Sequence, residues 1–372
     1  MSRRFIITIT TLLVIGVAAS IAIFFAKGYT FSTTEKKIVG TGIITISSEP
    51  DAASVFIDGH LTTATNATIS SLPPKKYSVK VVKEGFIPWE KEVSVTEGVV
   101  TEVKVTLFPA IPTIYPLTFS GVKNPILSPD GSKLVYLVPK NVKKGGVWVW
   151  SLVRNQQIAF ARSAEPHQIS SSTLIDFSDA VLKWSADSKQ VLATIGNNNY
   201  LLETDQLNEE PKDITPLLDA TLKGWEEDIN SKDSARILNI KDINLRKVAS
   251  DSAFLRWSPD ESKFMARPEP ILEGIEKDVL GIKVYDLEQK GEYSLPQALA
   301  HIWLPDSRHI ILIEKDNISL IDFDGTNKAV IFAGNFMDNF VFPWPDSSRL
   351  VIISSLPTPT ASEPNLYGIN LR

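Results

Sequence analysis

The apolar positions of this chain follow three rhythms, and each predicts a different kind of structure. From Phe5 to Ala26 they are continuous: 22 uncharged residues, mostly Ile, Leu, Val, Ala and Phe, bounded by Arg3-Arg4 and by Lys27. As a helix rising 1.5 Å per residue, that run is about 33 Å long, enough for a hydrocarbon core of about 30 Å. From residue 42 onward the dominant rhythm is alternation, the mark of strands buried on one side. Around residues 214–250 the rhythm changes again, because Leu218, Leu222, Trp225 and Ile229 fall at spacings of 4, 3 and 4 while Lys223, Glu226, Glu227 and Asp228 take the other face. That stripe predicts an amphipathic helix, with a second helix near Asp242 to Ala249.

A single short pattern recurs five times within the alternating region. Its copies read Leu127-Ser128-Pro129-Asp130, Trp184-Ser185-Ala186-Asp187, Trp257-Ser258-Pro259-Asp260, Trp303-Leu304-Pro305-Asp306 and Pro343-Trp344-Pro345-Asp346. In every copy the fourth, fifth and sixth residues after the Asp are apolar. Ser, a φ-fixing Pro, Asp and then Gly131 make a type I turn, so each copy predicts a β-hairpin. A further β-prone run follows each hairpin: 147–150, 200–202, 282–285, 318–321 and 366–369. The predicted unit is a small antiparallel sheet repeated at Asp-to-Asp intervals of 57, 73, 46 and 40 residues. Radial repetition of such sheets leaves only short protected edges, so the expectation is a five- or six-bladed β-propeller over residues 111–372.

These copies resemble the TolB-like (WD40-like) propeller repeats, whose blades carry a Trp-Ser-Pro-Asp-Gly turn and a later strand ending in Asp. Tyr285-Asp286-Leu287 and Ile321-Asp322-Phe323-Asp324-Gly325 match that strand end. The copies depart from the pattern in two ways: the glycine survives only at Gly131, and Trp344 sits one place late. A count of strands also predicts how such a ring closes. The last repeat is one strand short of four, whereas Thr113 to Leu117 is a surplus β-prone stretch before the first repeat, so the two should pair. Pro116 is tolerable there because an outer strand is an edge.

Residues 42–110 predict a separate module. Gly42 to Ser48 and Ser54 to Ile57 are strand-like, Asp58-Gly59 is a hairpin turn, and Lys76 to Val82, Trp89 to Val95 and Val99 to Leu107 supply further strands. Five or so short strands make a small β-sandwich-like fold. The pieces Ser48 to Gly59, Leu72 to Tyr77 and Lys83-Glu84-Gly85-Phe86 before Trp89 resemble the PEGA domain, although its name-giving motif reads Pro50-Asp51-Ala52-Ala53 here. The resemblance implies an attachment module of bacterial surface and envelope proteins, without an active site. The fold class expected for the whole chain is all-β, with one transmembrane helix in front and a helical insertion at about 214–250.

A cleavable signal peptide would have an apolar region of only about 7 to 15 residues before its cleavage site. The one small-residue site, Ala18-Ala19-Ser20, lies inside the run, so residues 1–27 read as an uncleaved signal anchor and 28–41 as a polar spacer. Arg3 and Arg4 predict a cytoplasmic amino terminus and an extracytoplasmic remainder, residues 28–372. Beyond residue 27 the chain carries 35 basic against 43 acidic residues, a net charge of −8, which does not invite nucleic acid.

The absence of cysteine excludes disulfides, thiolate metal sites and a Cys nucleophile. No Gly-x-Ser-x-Gly elbow, Walker loop or His-Glu-x-x-His occurs. The four histidines, His60, His167, His301 and His309, read as solvated or packing residues. Asp322-Phe323-Asp324-Gly325-Thr326-Asn327 opens like a calcium loop, but Ala333 stands where the twelfth-position Glu is required, so it reads as a polar β-turn. Trp148 with Trp150, and Trp184, Trp257 and Trp303, could stack on sugars; recurrence at one repeat position favours core packing instead. Asn66-Ala67-Thr68 matches the glycosylation pattern. The expectation is therefore no catalytic, cofactor or metal residue. The chain reads as a membrane-anchored binding or scaffold protein of the bacterial envelope with a protein or glycan partner, the alternative being an extracytoplasmic propeller enzyme acting on glycans or peptides. The insertion reads as helices packed against the propeller, or as a lid or docking arm.

Overall fold

In the computed structural model of the chain, residues 3–26, 29–32, 37–141, 144–153, 165–252, 254–267, 281–337, 339–356 and 364–372 are described. The continuous apolar run forms helix α1 (Arg3–Ala26), on which the described side chains, residues 7–20, are all exposed. Among the described residues no helix is long and apolar enough to cross a membrane. The structure therefore shows the helix and not a crossing. The stretch expected as a spacer pairs as a two-stranded ribbon, β1 (Tyr29–Ser32) with β2 (Lys37–Gly40), because Tyr-Thr-Phe and Lys-Ile-Val are β-prone. The chain divides into two compact units between Ile111 and Pro112.

Besides α1 and the β1–β2 ribbon, the described residues of the first unit form seven strands in two sheets. Strands β3 (Gly42–Glu49), β4 (Ser54–Ile57), β5 (His60–Ala64), β6 (Ala67–Leu72), β7 (Lys76–Val82), β8 (Trp89–Ser94) and β9 (Val100–Thr106) are ordered β6-β3-β9 and β5-β4-β7-β8. The hairpin at Asp58-Gly59 is as expected, with both residues at positive φ (48° and 81°) and Ile57 facing His60. Alternation puts Ile44, Ile46, Val55, Tyr77, Val79 and Val81 into one core. Strands β5 and β6 go beyond the five or so expected, because their residues are mostly exposed and give little apolar rhythm.

Among its described residues the second unit holds five four-stranded antiparallel sheets, numbered in chain order. After β10 (Ile114–Pro116), sheet 1 is β11 (Lys123–Leu127), β12 (Lys133–Val138), β13 (Gly146–Ser151) and β14 (His167–Ser171). Sheet 2 is β15 (Val181–Trp184), β16 (Gln190–Ile195), β17 (Asn198–Glu203) and β18 (Lys212–Asp213). A 3₁₀ turn (Thr215–Leu217), helix α2 (Leu218–Asn239) and helix α3 (Ile243–Asp251) follow. Sheet 3 is β19 (Leu255–Trp257), β20 (Lys263–Ala266), β21 (Lys283–Asp286) and β22 (Glu292–Ser294), and sheet 4 is β23 (Ala300–Trp303), β24 (His309–Ile313), β25 (Asn317–Asp322) and β26 (Ala329–Ala333). Sheet 5 consists of β27 (Val341–Pro343), β28 (Arg349–Ser354) and β29 (Asn365–Asn370), and its fourth strand is β10.

The surplus strand and the deficient sheet thus pair as expected, Ile114 with Ile369, Tyr115 with Gly368 and Pro116 with Tyr367. Tyr115 lies so close over Gly368 that a Cβ there would stand 2.8 Å from its ring. The junction is sealed beyond the ladder: buried Thr118 donates its hydroxyl to Asn365 Oδ1 (3.1 Å) and accepts from the Leu366 amide (3.0 Å). A closed propeller is not seen among the described residues, although several neighbouring sheets share cores. Sheet 5 packs on sheet 1 through Phe342, Val351 and Leu134, sheet 1 on sheet 2 through Val135, Val149 and Trp184, and sheet 3 on sheet 4 through Met265, Val284 and Trp303.

Both predicted helices form, with Asp242 capping α3 by accepting from the amides of Asn244 and Leu245. The α2 stripe lies less deeply than its spacing suggested: α2 has no buried residue, and Ile229 is 46% exposed.

Candidate interaction surface

The five repeated turns explain which residues the fold consumes. In the first, the Gly131 amide donates to Ser128 O, closing a type I turn, and the Asp130 carboxylate accepts from the Ser128 hydroxyl (2.6 Å) and the Ser132 amide (3.0 Å). The same bonds recur around Asp187 and Asp260. Hydrogen bonds from the neighbouring serines outweigh burial and hold the carboxyls of Asp130 and Asp260 below the usual range. The residue after each Asp is left-handed in all five copies: Gly131, Ser188, Glu261, Ser307 and Ser347, at φ between 57° and 69°. Non-glycine residues carry strain there. Ser307 has a compensating bond, since its hydroxyl accepts from the Asp260 amide (3.0 Å), and Ser188 does the same for Asp130 (3.4 Å). Loss of the glycine is therefore a gain of contact between successive turns.

The recurrent tryptophans act in the same two seams. Trp184 Nε1 donates to Ile126 O (2.9 Å) and Trp303 Nε1 to Arg256 O (3.1 Å), each reaching the first strand of the preceding sheet. Both rings are buried, which accounts for their recurrence by packing. Trp150 meets Trp344 edge-on at 5.4 Å, in the core shared by sheets 5 and 1.

The seam between sheets 2 and 3 is built differently. Trp257 Nε1 is buried without a hydrogen-bond partner. The opposite face of sheet 3 from the one packed on sheet 4, carrying Phe264, Ala266 and Tyr285, packs on Ile240, Val248 and Ala249 of the α2–α3 hairpin. Glu261 takes the position of the linking serine and binds Arg236 Nε on α2 (2.7 Å), while one helical turn earlier Lys232 Nζ donates to Ala186 O in the sheet 2 turn (3.2 Å). On β15 Val181 and Lys183 are exposed, Val181 at 66%.

Two of the four histidines, His301 and His309, are buried and so fall on the packing side of the reading of them as solvated or packing residues. His309 is 5% exposed and bridges two carboxylates, Nδ1 to Asp306 Oδ2 (2.5 Å) and Nε2 to Asp322 Oδ1 (3.3 Å). Burial disfavours its charge, but the hydrogen bonds of the two aspartates prevail and push it up to about 9. Sequence spacing hid this triad, because only the pairing of His309 with Asp322 across β24 and β25 brings it together. His301 donates from Nε2 to Pro296 O (2.9 Å), and burial holds its pKa below the ordinary value. His60 is exposed, and His167 Nε2 lies 3.0 Å from Thr204 O.

Asp322 to Asn327 is a tight turn, with the Gly325 amide donating to Asp322 O and Asn327 Nδ2 to Asp322 Oδ2. Among the described residues no group of three or more His, Asp or Glu could hold a metal ion. Asn66 accepts from the Ser48 amide, at a bend beside β6. A hollow of about 690 Å³ lies beside the α2–α3 junction between Ile240, Asp242, Leu245, Leu287 and Lys290.

Residues 41–111 match the PEGA domain family. No curated protein matches the chain. Among solved structures, a putative TolB from Agrobacterium tumefaciens is 18% identical over 65% of this chain and 76% of its own, with a TM-score of 0.24. TolB from Acinetobacter baumannii is 14% identical over 80% of this chain and 61% of its own, also with a TM-score of 0.24, and a eukaryotic initiation factor is 15% identical over 80% and 78%, with a TM-score of 0.23. Likeness at these scores carries no argument about this chain, whose sheets are defined by their own hydrogen bonds.

Proposed function

We propose that this chain is a membrane-anchored, extracytoplasmic binding or scaffold protein of a bacterial cell envelope. Residues 5–26 anchor it with the amino terminus in the cytoplasm, the PEGA unit attaches, and the five-sheet unit presents a surface to a protein or glycan partner. One observation carries the reading: side chains able to do chemistry are spent on holding the fold. His309 is locked between two aspartates, the aspartates of the first three turns bind their own turns, and Trp184 and Trp303 bond to backbone. The PEGA match and the length of the apolar run support the envelope setting.

The test is chemical cross-linking on intact cells followed by capture of the full chain and of a chain lacking residues 112–371. A partner that is lost with the five-sheet unit supports the proposal. A partner retained without that unit refutes the assignment of the surface, and turnover of glycans or peptides by the purified chain would replace binding with catalysis. Proteinase added to spheroplasts tests the topology, since residues 28–372 should be digested; protection would reverse the orientation.

A further inference from the structure

We infer that the seam between sheets 2 and 3 is a joint at which the five-sheet unit opens, with the α2–α3 hairpin moving as part of sheet 3. This seam lacks what the two on either side of it have. Sheets 1 and 2 share a core, an indole-to-carbonyl bond and a serine link between turns, and so do sheets 3 and 4. At the equivalent place between sheets 2 and 3, Trp257 has the same ring and the same donor, yet its N–H is buried and unpartnered. A buried donor without a partner costs free energy that Trp184 and Trp303 do not lose. Glu261 cannot repeat the serine link and turns to Arg236 instead.

The hairpin itself is not shared evenly. Its apolar contacts run to sheet 3, where Ile240, Leu245, Val248 and Ala249 meet Phe264, Ala266, Tyr285 and Leu287, and Lys290 pairs with Asp242 across the same boundary (3.3 Å). Toward sheet 2 the hairpin is held by its root, where the Ile214 amide donates to Asn199 O and the Asn199 amide to the Thr215 hydroxyl, and by Lys232 reaching Ala186 O. A root of two hydrogen bonds with one side-chain latch about two-thirds of the way along a 22-residue helix is a hinge with a clasp. On sheet 2 the first strand, β15, exposes Val181 and Lys183. Opening would carry Lys232 away from Ala186 and leave the apolar packing of sheet 3 intact.

Because the chain has no cysteine, two spin labels can be placed without background. Labels at exposed Lys189→Cys and Ser234→Cys span the joint, and labels at Ser234→Cys and Gln289→Cys lie on its sheet 3 side. Double electron–electron resonance on the full chain should give two distances for the first pair and one for the second. Removing the latch with Lys232→Ala should raise the ratio of long to short distance in the first pair by about tenfold, the worth of one part-buried hydrogen bond from a charged group. It should leave the second pair unmoved. One narrow distance for the first pair, unchanged by Lys232→Ala, overturns the proposal, and so does a second pair that moves with the first.

Discussion

Replacing His309 with leucine should destabilise the five-sheet unit by an amount that depends on pH in a direction fixed by the geometry. The imidazole is 5% exposed and lies between Asp306 and Asp322, whose side chains are 17% and 12% exposed. In the leucine variant both carboxylates keep their burial and lose their cation, a change that costs about 3–5 kcal/mol. The proton on His309 is held with a pKa of about 9 in the fold, against an ordinary 6.5. At 1.36 kcal/mol per decade of proton affinity, that gap is worth about 3 kcal/mol. Because the folded value is the higher one, the contribution is complete below pH 6.5 and is lost as pH rises through about 9. Asp306 works in the other direction: burial is outweighed by His309, its pKa is lowered from 3.8, and its contribution is lost as pH falls below that value. The triad should therefore stabilise most between about pH 4 and 6.5. Seven of the eight tryptophans lie beyond residue 112, so urea unfolding followed by tryptophan fluorescence reports mainly on this unit. The gap between wild type and His309→Leu should be largest near pH 6 and shrink by about 3 kcal/mol by pH 10. A gap that stays constant from pH 6 to 10 would show that His309 is neutral in the fold and that the two aspartates do not hold its proton.

Trp303→Phe and Trp257→Phe delete similar ring volume, but only the first breaks a hydrogen bond, so in urea melts it should cost about 1 kcal/mol more; equal costs would show that the Arg256 carbonyl bond contributes nothing. Thr118→Val keeps the shape while leaving the Leu366 amide without its hydroxyl acceptor, and should cost about 1–3 kcal/mol in the same assay. Deleting residues 111–118 should cost more and lower the melting temperature by several degrees, whereas an unchanged melting temperature would mean that β10 seals nothing. Residues 42–110 expressed alone should give a dispersed, cooperative NMR spectrum, and a collapsed spectrum would show that the module borrows core from elsewhere.

Features controlled by local spacing were legible along the chain. The Ser-Pro-Asp turn specifies its own bonds within a few residues, the apolar run after it specifies a central strand, and their fivefold recurrence specifies five sheets. The pairing of β10 with β29 was legible for a similar reason, since a strand surplus at one end and a deficit at the other have one economical solution. The 3.6-residue stripe likewise placed α2, and α3 forms near Asp242 as expected, with the cap itself seen only in the structure. Which of these pieces meet was settled by tertiary packing. His309 and Asp322 are 13 residues apart and become partners only through the register of β24 on β25. The left-handed serines looked like eroded glycines until the neighbouring turns were seen to donate to them. Trp184, Trp257 and Trp303 are equivalent in sequence, yet two donate to a preceding sheet and the third does not, because the hairpin between sheets 2 and 3 takes the place of the facing sheet. A repeat fixes what each copy can offer; whether the offer is met depends on the neighbour, and the neighbour is set by long-range packing that no local pattern records.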